Sequence, residues 1–307
     1  MKERGIKPRS RRHGISAVPA LLGLIALAIV APVVSAAPAA AGVPAFDHVY
    51  LIIMENREFG SIVGSPSAPY INSLISEYGL ATNYDAVSHP SEPNYLALFG
   101  GSTFGVTDDG THNLSRSNLA DQLQSAGLTW HVYEQDYPGH CSTASTAKGG
   151  TDLVGPGGYY ARKHNPAISF TDIAHRPKRC ARITSLASFS PTAASFELIV
   201  PNLTNDMHDG TTAQGDAFLR AFVPLITKSR AFAHSLLLIT WDEGNTSQGG
   251  GGQVATLVVS PLLKSAGMQS SVAHNHYSLL RTVEAGLGIP CLRQSCQANA
   301  LGEFFGS

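Results

Sequence analysis

The chain has 307 residues, 43% hydrophobic and 14% charged, which provides for a substantial core and excludes a disordered chain. A net charge of -1 leaves no basic footprint for nucleic acid. Twelve His against 21 Lys+Arg is the feature that stands out, and it favours metal or phosphate chemistry in one large globular domain.

In chain order, residues 1–36 read as an export signal outside that domain. Residues 7–12 are basic, with paired Arg11-Arg12 after Ser10 in the twin-arginine manner, residues 15–34 are apolar, and Val34-Ser35-Ala36 offers a small-residue cleavage site. The rival reading is a retained anchor, since the apolar run is nearly long enough to span a bilayer. With cleavage after Ala36 no stable membrane span remains. Residues 37–45 form a flexible lead-in, and 46–307 the single domain.

Residues 47–54 are a strand-length apolar run, as expected of a strand buried on both faces of a parallel sheet, and Glu55-Asn56 follow at once. A helix at 68–78 closes at Gly79, and a strand at 80–87 leads into His89-Pro90-Ser91-Glu92-Pro93-Asn94-Tyr95. The two prolines, the apolar run to Phe99 and Gly100-Gly101 predict a helix that starts with Ser91 at or near its N-cap. A helix at 117–126 and a strand at 128–134 come next.

From 136 to 195 the pattern gives way to Gly, Pro, Ser, Thr and scattered His. This reads as an irregular insertion lying over the sheet edge or the site, held by cysteines. Order returns with a strand at 196–200 opening into Asn205-Asp206-Met207-His208-Asp209. A helix at 212–229 and a strand at 235–241 follow, the strand running into Asp242-Glu243-Gly244. The chain continues with a flexible loop at 249–252, a strand at 254–260 and a helix at 276–287. Such β-α-β alternation predicts an α/β fold with a mostly parallel sheet.

The four cysteines of an exported chain read as two disulfides. The closeness of Cys291 to Cys296 suggests that pair and leaves Cys141 with Cys180, although spacing alone does not settle the pairing.

Ligands of open parallel sheets bind outside the carboxyl ends of the strands. Those ends carry Glu55-Asn56, His89 with Ser91, Asp206 with His208, and Asp242-Glu243. Each alone is ordinary: a turn after a strand, a loop opening, a solvated histidine, and for His276 a helix start. Together they describe one site, in which oxygen donors suit a divalent cation and histidines serve as further ligands or proton donors. A Ser91 hydroxyl beside the positive end of a helix is placed to attack a phosphate. No Gly-x-Ser-x-Gly elbow surrounds it.

These residues stand in five ordered motifs: Ile53-Met54-Glu55-Asn56, His89-Pro90-Ser91-Glu92-Pro93-Asn94-Tyr95, Asn202-Leu203-Thr204-Asn205-Asp206-Met207-His208-Asp209, Thr240-Trp241-Asp242-Glu243-Gly244 and Asn275-His276-Tyr277-Ser278. Over about 47–288 the chain resembles the bacterial phosphoesterase family of secreted acid phosphatases and phospholipases C, a branch of the alkaline phosphatase-like superfamily. The resemblance implies a three-layer α/β/α sandwich, a nucleophilic Ser91, and a metal held by Glu55, Asn56, Ser91, Asp242 and Glu243. It also implies that His89, His208 and His276 surround the phosphate, and that a second ion, where present, uses Asp206, His208 or His276. The divalent ion is Mg, Ca, Mn, Zn or Fe, with one or two per chain.

The expected activity is that of a secreted, metal-dependent acid phosphatase acting on phosphate monoesters, phosphoinositide phosphates among them. Ser91 attacks phosphorus, N–H groups at the helix start hold the phosphate oxygens, and His208 or His89 protonates the leaving alkoxide. Protonated imidazoles imply an acidic to near-neutral optimum. The partner is a phosphorylated small molecule or lipid headgroup, and the oligomeric state is open. A phospholipase C-type phosphodiesterase and a non-catalytic metal- or phosphoinositide-binding surface protein are the alternatives.

Overall fold

The computed structural model describes residues 1, 5, 42–150, 153–155 and 157–306; the expected export segment lies outside the described residues. The fold below is that of the unit Ala36–Ser307. Among the described residues no helix is long and apolar enough to cross a membrane.

Three apolar runs form the centre of the sheet: β1 (His48–Met54), flanked in parallel by the strands Phe196–Val200 and Ser235–Trp241. All three are buried almost throughout, which is why they lack a polar alternation. The eight-stranded sheet is completed on one side by the parallel strands Trp130–Glu134 and Ile183–Ser185. On the other side come Thr256–Val259, Gly79–Ala81 and Met268–Ser270. Only Thr256–Val259 runs antiparallel to both neighbours.

Helices complete a three-layer α/β/α sandwich. Helix α1 (Pro69–Glu77) packs against Thr212–Thr227, and α2 (Ser91–Gly100) against His276–Gly286. Capping boxes fix the starts of Leu119–Ser125 (Asn118 with Asp121), Thr212–Thr227 (Thr211 with Gln214) and His276–Gly286 (Asn275 with Ser278).

The structure differs from the sequence reading in three places. The strand expected at 80–87 is two pieces: Gly79–Ala81 lies in the sheet, and Tyr84–Asp85 pairs with His274–Asn275 in a separate ribbon. The glycine loop at 249–252 is packed rather than flexible. A Cβ on Gly250 would lie 2.4 Å from the Val87 carbonyl oxygen, and one on Gly251 2.3 Å from that of Ser88. Only glycine permits this approach of backbone to backbone, just ahead of Ser91.

Third, the 136–195 segment is folded. It contains an antiparallel ribbon (Thr146–Lys148 with Tyr159–Ala161), the turns Arg162–His164 and Pro166–Ser169, and the edge strand Ile183–Ser185.

Disulfides join Cys141 to Cys180 and Cys291 to Cys296. The first closes a loop of 39 residues and the second one of 5. Loop-closure entropy assigns about 4 kcal/mol to the former and about 2 kcal/mol to the latter. The Cys141→Ser/Cys180→Ser double variant should therefore lose roughly twice the unfolding free energy lost by Cys291→Ser/Cys296→Ser, as measured by urea denaturation.

Candidate active site

The carboxyl ends of the central strands deliver the site. Strand β1 ends at Met54 and presents Glu55; Ser235–Trp241 presents Asp242; and the loop after Phe196–Val200 presents Asp206, whose carbonyl accepts the Glu55 N–H at 2.8 Å. All three carboxylates are wholly buried.

Glu55 is the hub. Its Oε2 accepts the Ser91 hydroxyl at 3.3 Å and the Asn56 side-chain amide at 2.9 Å, while Oε1 accepts the Tyr95 hydroxyl at 2.6 Å. The Asn56 backbone N–H reaches Asp242 Oδ1 at 3.2 Å from a left-handed conformation, φ 52°. Asn, whose short polar side chain tolerates that region, suits the turn.

Ser91 is the first helical residue and Pro90 the N-cap, so the hydroxyl makes no cap and is directed at Glu55 instead. Asn94, one turn on, holds the approach: its Oδ1 accepts from the N–H groups of Val87 and Ser88, and its amide donates to the Ser88 and Pro90 carbonyls. The helix start is also committed. The Glu92 N–H donates to Asp109 Oδ1 at 3.0 Å, and Pro93 has no N–H.

The histidines divide. His208 belongs to the cluster: its backbone N–H donates to Asp206 Oδ1 at 2.7 Å, Nδ1 bonds Asp209 at 2.8 Å, and Nε2 faces the Lys163 ammonium at 3.2 Å. His89 is tied to Glu243 by Nδ1 (2.6 Å) and to the Thr246 carbonyl by Nε2 (2.8 Å). Burial opposes its protonation, but the Thr246 carbonyl and the Glu243 carboxylate outweigh it and raise the pKa. His276 is fully buried, with Nε2 on the Asp242 backbone carbonyl (2.6 Å) and Nδ1 on the Tyr84 hydroxyl (2.9 Å). Burial lowers its pKa to about 4. His276 thus holds the backbone of Asp242 from the helix that it starts.

Two members of the cluster were absent from the sequence reading. His164 is buried, with Nε2 3.2 Å from Glu55 Oε1 and Nδ1 3.4 Å from Asp206 Oδ2, and its ring stacks on Tyr95. Lys163 beside it donates to Asp109 Oδ2 at 2.9 Å. Both come from the short turn Arg162–His164, inside the segment without periodicity. The polar run Arg162-Lys163-His164-Asn165 was the available signal.

The electrostatics are those of a site short of positive charge. Burial, then Asp242 and Asp206, raise the Glu55 pKa well above the ordinary carboxylate range, and burial raises Asp206 in the same direction. Burial followed by Glu243 raises Asp242 to about 8. His164 Nε2, Asp206 Oδ2 and Asp242 Oδ2 are buried without a hydrogen-bond partner. Ligand atoms of Glu55, His164 and His208 lie within 4.8 Å of one another. Converging, unpaired oxygen and imidazole atoms fit a divalent cation, which would supply the missing partners and charge.

With this geometry in hand, comparisons identify the family. Residues 65–290 match the profile of the Phosphoesterase family. The chain is 33% identical over 293 residues to a phosphatidylinositol-3-phosphatase of Mycobacterium tuberculosis, covering 94% of this chain and 93% of that one. It is 30% identical over 272 residues to an acid phosphatase of Aspergillus fumigatus, covering 84% of this chain but 58% of that protein. A protein of the alkaline phosphatase superfamily from Vibrio parahaemolyticus superposes with a TM-score of 0.53 at 12% identity, over 82% of this chain and 70% of that one, which is a likeness of fold alone. The chain belongs to the Phosphoesterase family and is a phosphoric ester hydrolase.

Proposed function

We propose that the protein is an exported, cation-dependent phosphomonoesterase working through a phosphorylated Ser91. The observation that carries this reading is the Ser91 hydroxyl: buried, on the first turn of α2, and bonded to Glu55 rather than capping its helix. Two donor sets meet at Glu55. One has Ser91 and Asp242, with Asn56 and Glu243 alongside; the other has Asp206 and His164, with His208 beside them as the proton carrier. They accommodate one or two ions. A bound divalent ion lowers the pKa of a nearby hydroxyl and offsets charge on phosphate oxygens.

The chain's own groups account for the rest. The Ser91 proton leaves along its hydrogen bond to Glu55 as Oγ forms a bond to phosphorus and the bond to the leaving oxygen breaks. Asp209 holds His208 Nδ1 and leaves Nε2 to pass a proton to that oxygen. Water then attacks the phosphoserine and His208 takes its proton; the Ser91 Oγ–P bond breaks, Glu55 returns the proton to Oγ along the same hydrogen bond, and phosphate departs. Lys163, 3.2 Å from His208, adds a positive charge that suits the dianion of a monoester better than the monoanion of a diester. The acid phosphatase and phosphatidylinositol-3-phosphatase relatives agree with a monoester substrate, lipid headgroups included. Export is supported by the basic and apolar N-terminal sequence and by the two disulfides.

Ser91→Ala should lower phosphate release from phenyl phosphate by about 10³-fold or more, while the lost hydrogen bond to Glu55 costs only about 1 kcal/mol of stability; turnover within tenfold of the parent, measured on the purified mature chain, would remove Ser91 from the mechanism. His208→Gln should cost about 10²-fold or more on methyl phosphate, whose alkoxide needs the proton. On p-nitrophenyl phosphate, whose leaving group does not, the loss in kcat/KM, which reports the steps up to alcohol release and not the attack of water, should be under tenfold, and equal losses in kcat/KM on the two esters would exclude the acid role.

The carboxylates also predict a pH signature in the chelated protein. A carboxyl whose pKa is raised by folding binds its proton more tightly when folded, so its contribution to stability is complete below its ordinary value and lost as pH climbs through the folded one. For Asp242 that window runs from 3.8 to about 8. In chelator, stability should fall from pH 5 to pH 8 more steeply than for Asp242→Asn, and adding back Mg, Ca, Mn, Zn or Fe should raise the Tm more at pH 8 than at pH 5. Calorimetry showing no difference between the two pH values would count against a cation in this cluster.

A further inference from the structure

Two groups beside the reaction centre take no part in the chemistry described above: the carboxylate of Glu92 and the guanidinium of Arg162. Glu92 follows Ser91 on α2, and Arg162 precedes Lys163 and His164 on their turn. Both are buried, at 1% and 2% exposure.

An acid in the first turn of a helix ordinarily stays in water, where it favours the helix dipole at little cost. The Glu92 side chain is enclosed instead. Its Oε1 accepts the Ser169 hydroxyl at 2.9 Å and lies 3.8 Å from Arg162 Nη1, while Oε2 lies 4.0 Å from His112 Nε2. Arginine keeps its charge at any working pH, and a buried guanidinium is tolerated only opposite an anion. Glu92 is what admits Arg162 to the interior. The attraction therefore acts between two side chains whose neighbours in sequence are Ser91 and Lys163.

The remaining contacts of Arg162 hold the same turn. Nη2 donates to the His112 carbonyl at 2.8 Å, and the backbone N–H donates to the Ser145 carbonyl at 2.9 Å. The loop gripped through His112 is the one whose Asp109 accepts both the Glu92 N–H and the Lys163 ammonium. One residue further on, His164 lies against Glu55 and Asp206. A turn of three residues in 3₁₀ geometry has little stability of its own, so its place is set by such outside contacts. Because the three residues are consecutive, a shift of the turn would carry Lys163 away from Asp109 and His164 away from Glu55 together.

We propose that Arg162, held by Glu92, is a positioning residue: the buried pair registers the turn that carries Lys163 and His164 against the helix that carries Ser91. Arg162 acts on the reaction through those two neighbours. The proposal rests on the phosphomonoesterase reading and deepens it at the same site.

The test is a double-mutant cycle on kcat/KM for phenyl phosphate, in the full-length protein with the same divalent cation throughout. Arg162→Met should cost about 10²-fold in the parent, the scale of a misplacement of about 1 Å. In Lys163→Met or in His164→Asn, where the positioned group is already gone, the same change should cost less. A factor at least about threefold smaller in either background bears out the proposal, because residues that act through one another are not additive. An equal factor in both backgrounds, as general destabilisation would give, or no loss in the parent, overturns it. Where Arg162→Met does not fold, Glu92→Gln/Arg162→Met replaces it in the same cycle, since it leaves no unpaired charge inside. Absence of phenyl phosphate hydrolysis by the parent chain would instead be a failure of the phosphomonoesterase reading. The pair is then judged by hydrogen exchange of Glu92→Gln/Arg162→Met against the parent. Faster exchange confined to residues 159–170 supports it, and unchanged or uniformly faster exchange overturns it.

Discussion

The burial of one carboxylate, Glu55, sets the terms for the rest of the molecule. Its side chain sits at the end of the central strand with no exposure to water, and a buried carboxylate is costly unless its lone pairs are satisfied. The chain answers with hydroxyls from Ser91 and Tyr95 on α2 and an amide from Asn56. The hydrogen bonds that satisfy Glu55 are thus the same ones that aim Ser91. Asp206 and Asp242, buried close by, press in the opposite direction by raising its pKa, so without a cation the cluster is a liability in stability. Such a cost is tolerable where the function needs the charge, which is why strongly perturbed carboxylates gather at reactive sites.

Holding α2 in register with β1 takes a second layer of contacts. Asn94 folds back onto residues 87–90, and the Gly250 and Gly251 backbones pack against the Val87 and Ser88 carbonyls. Glu58 fixes the same loop by accepting from the N–H groups of Asn245, Thr246 and Gln253. His276 secures the Asp242 backbone from the opposite helix. Each of these contacts limits how far a strand end or helix start can drift.

The parts legible in the sequence were those where one local pattern had one physical meaning. The runs ending at Met54, Val200 and Trp241 are long and apolar because they are buried on both faces, and their polar successors fall at the sheet edge by topology alone. Three-residue strands such as Met268–Ser270 carry no such period, and the break after Ala81 follows from Thr82 pairing with Ser270 while Tyr84–Asp85 turns to His274–Asn275. His164 and Lys163 were hidden because they sit on a single short turn, where position depends on packing against Tyr95 and Asp109 rather than on periodicity. For His276 the residue type was visible but its hydrogen bonds to the Asp242 carbonyl and the Tyr84 hydroxyl were not, since they depend on tertiary packing.

The source of positive charge near Ser91 follows from these contacts. A helix start offers about half an elementary charge through its unpaired N–H groups, and here the Glu92 N–H is given to Asp109 while Pro93 offers none. The Asp109 carboxylate in turn holds the Lys163 ammonium, whose protonation burial opposes but Asp109 more than restores. The positive charge beside this helix start is therefore that of the Lys163 ammonium itself, on a side chain that reaches His208. An ammonium on a flexible stem can follow phosphate oxygens as they shift during in-line displacement, which a fixed backbone N–H cannot. The insertion thus contributes Lys163 and His164 to the same cluster that the sheet edge supplies with carboxylates, and the Cys141–Cys180 bridge closes the segment that places that one charge.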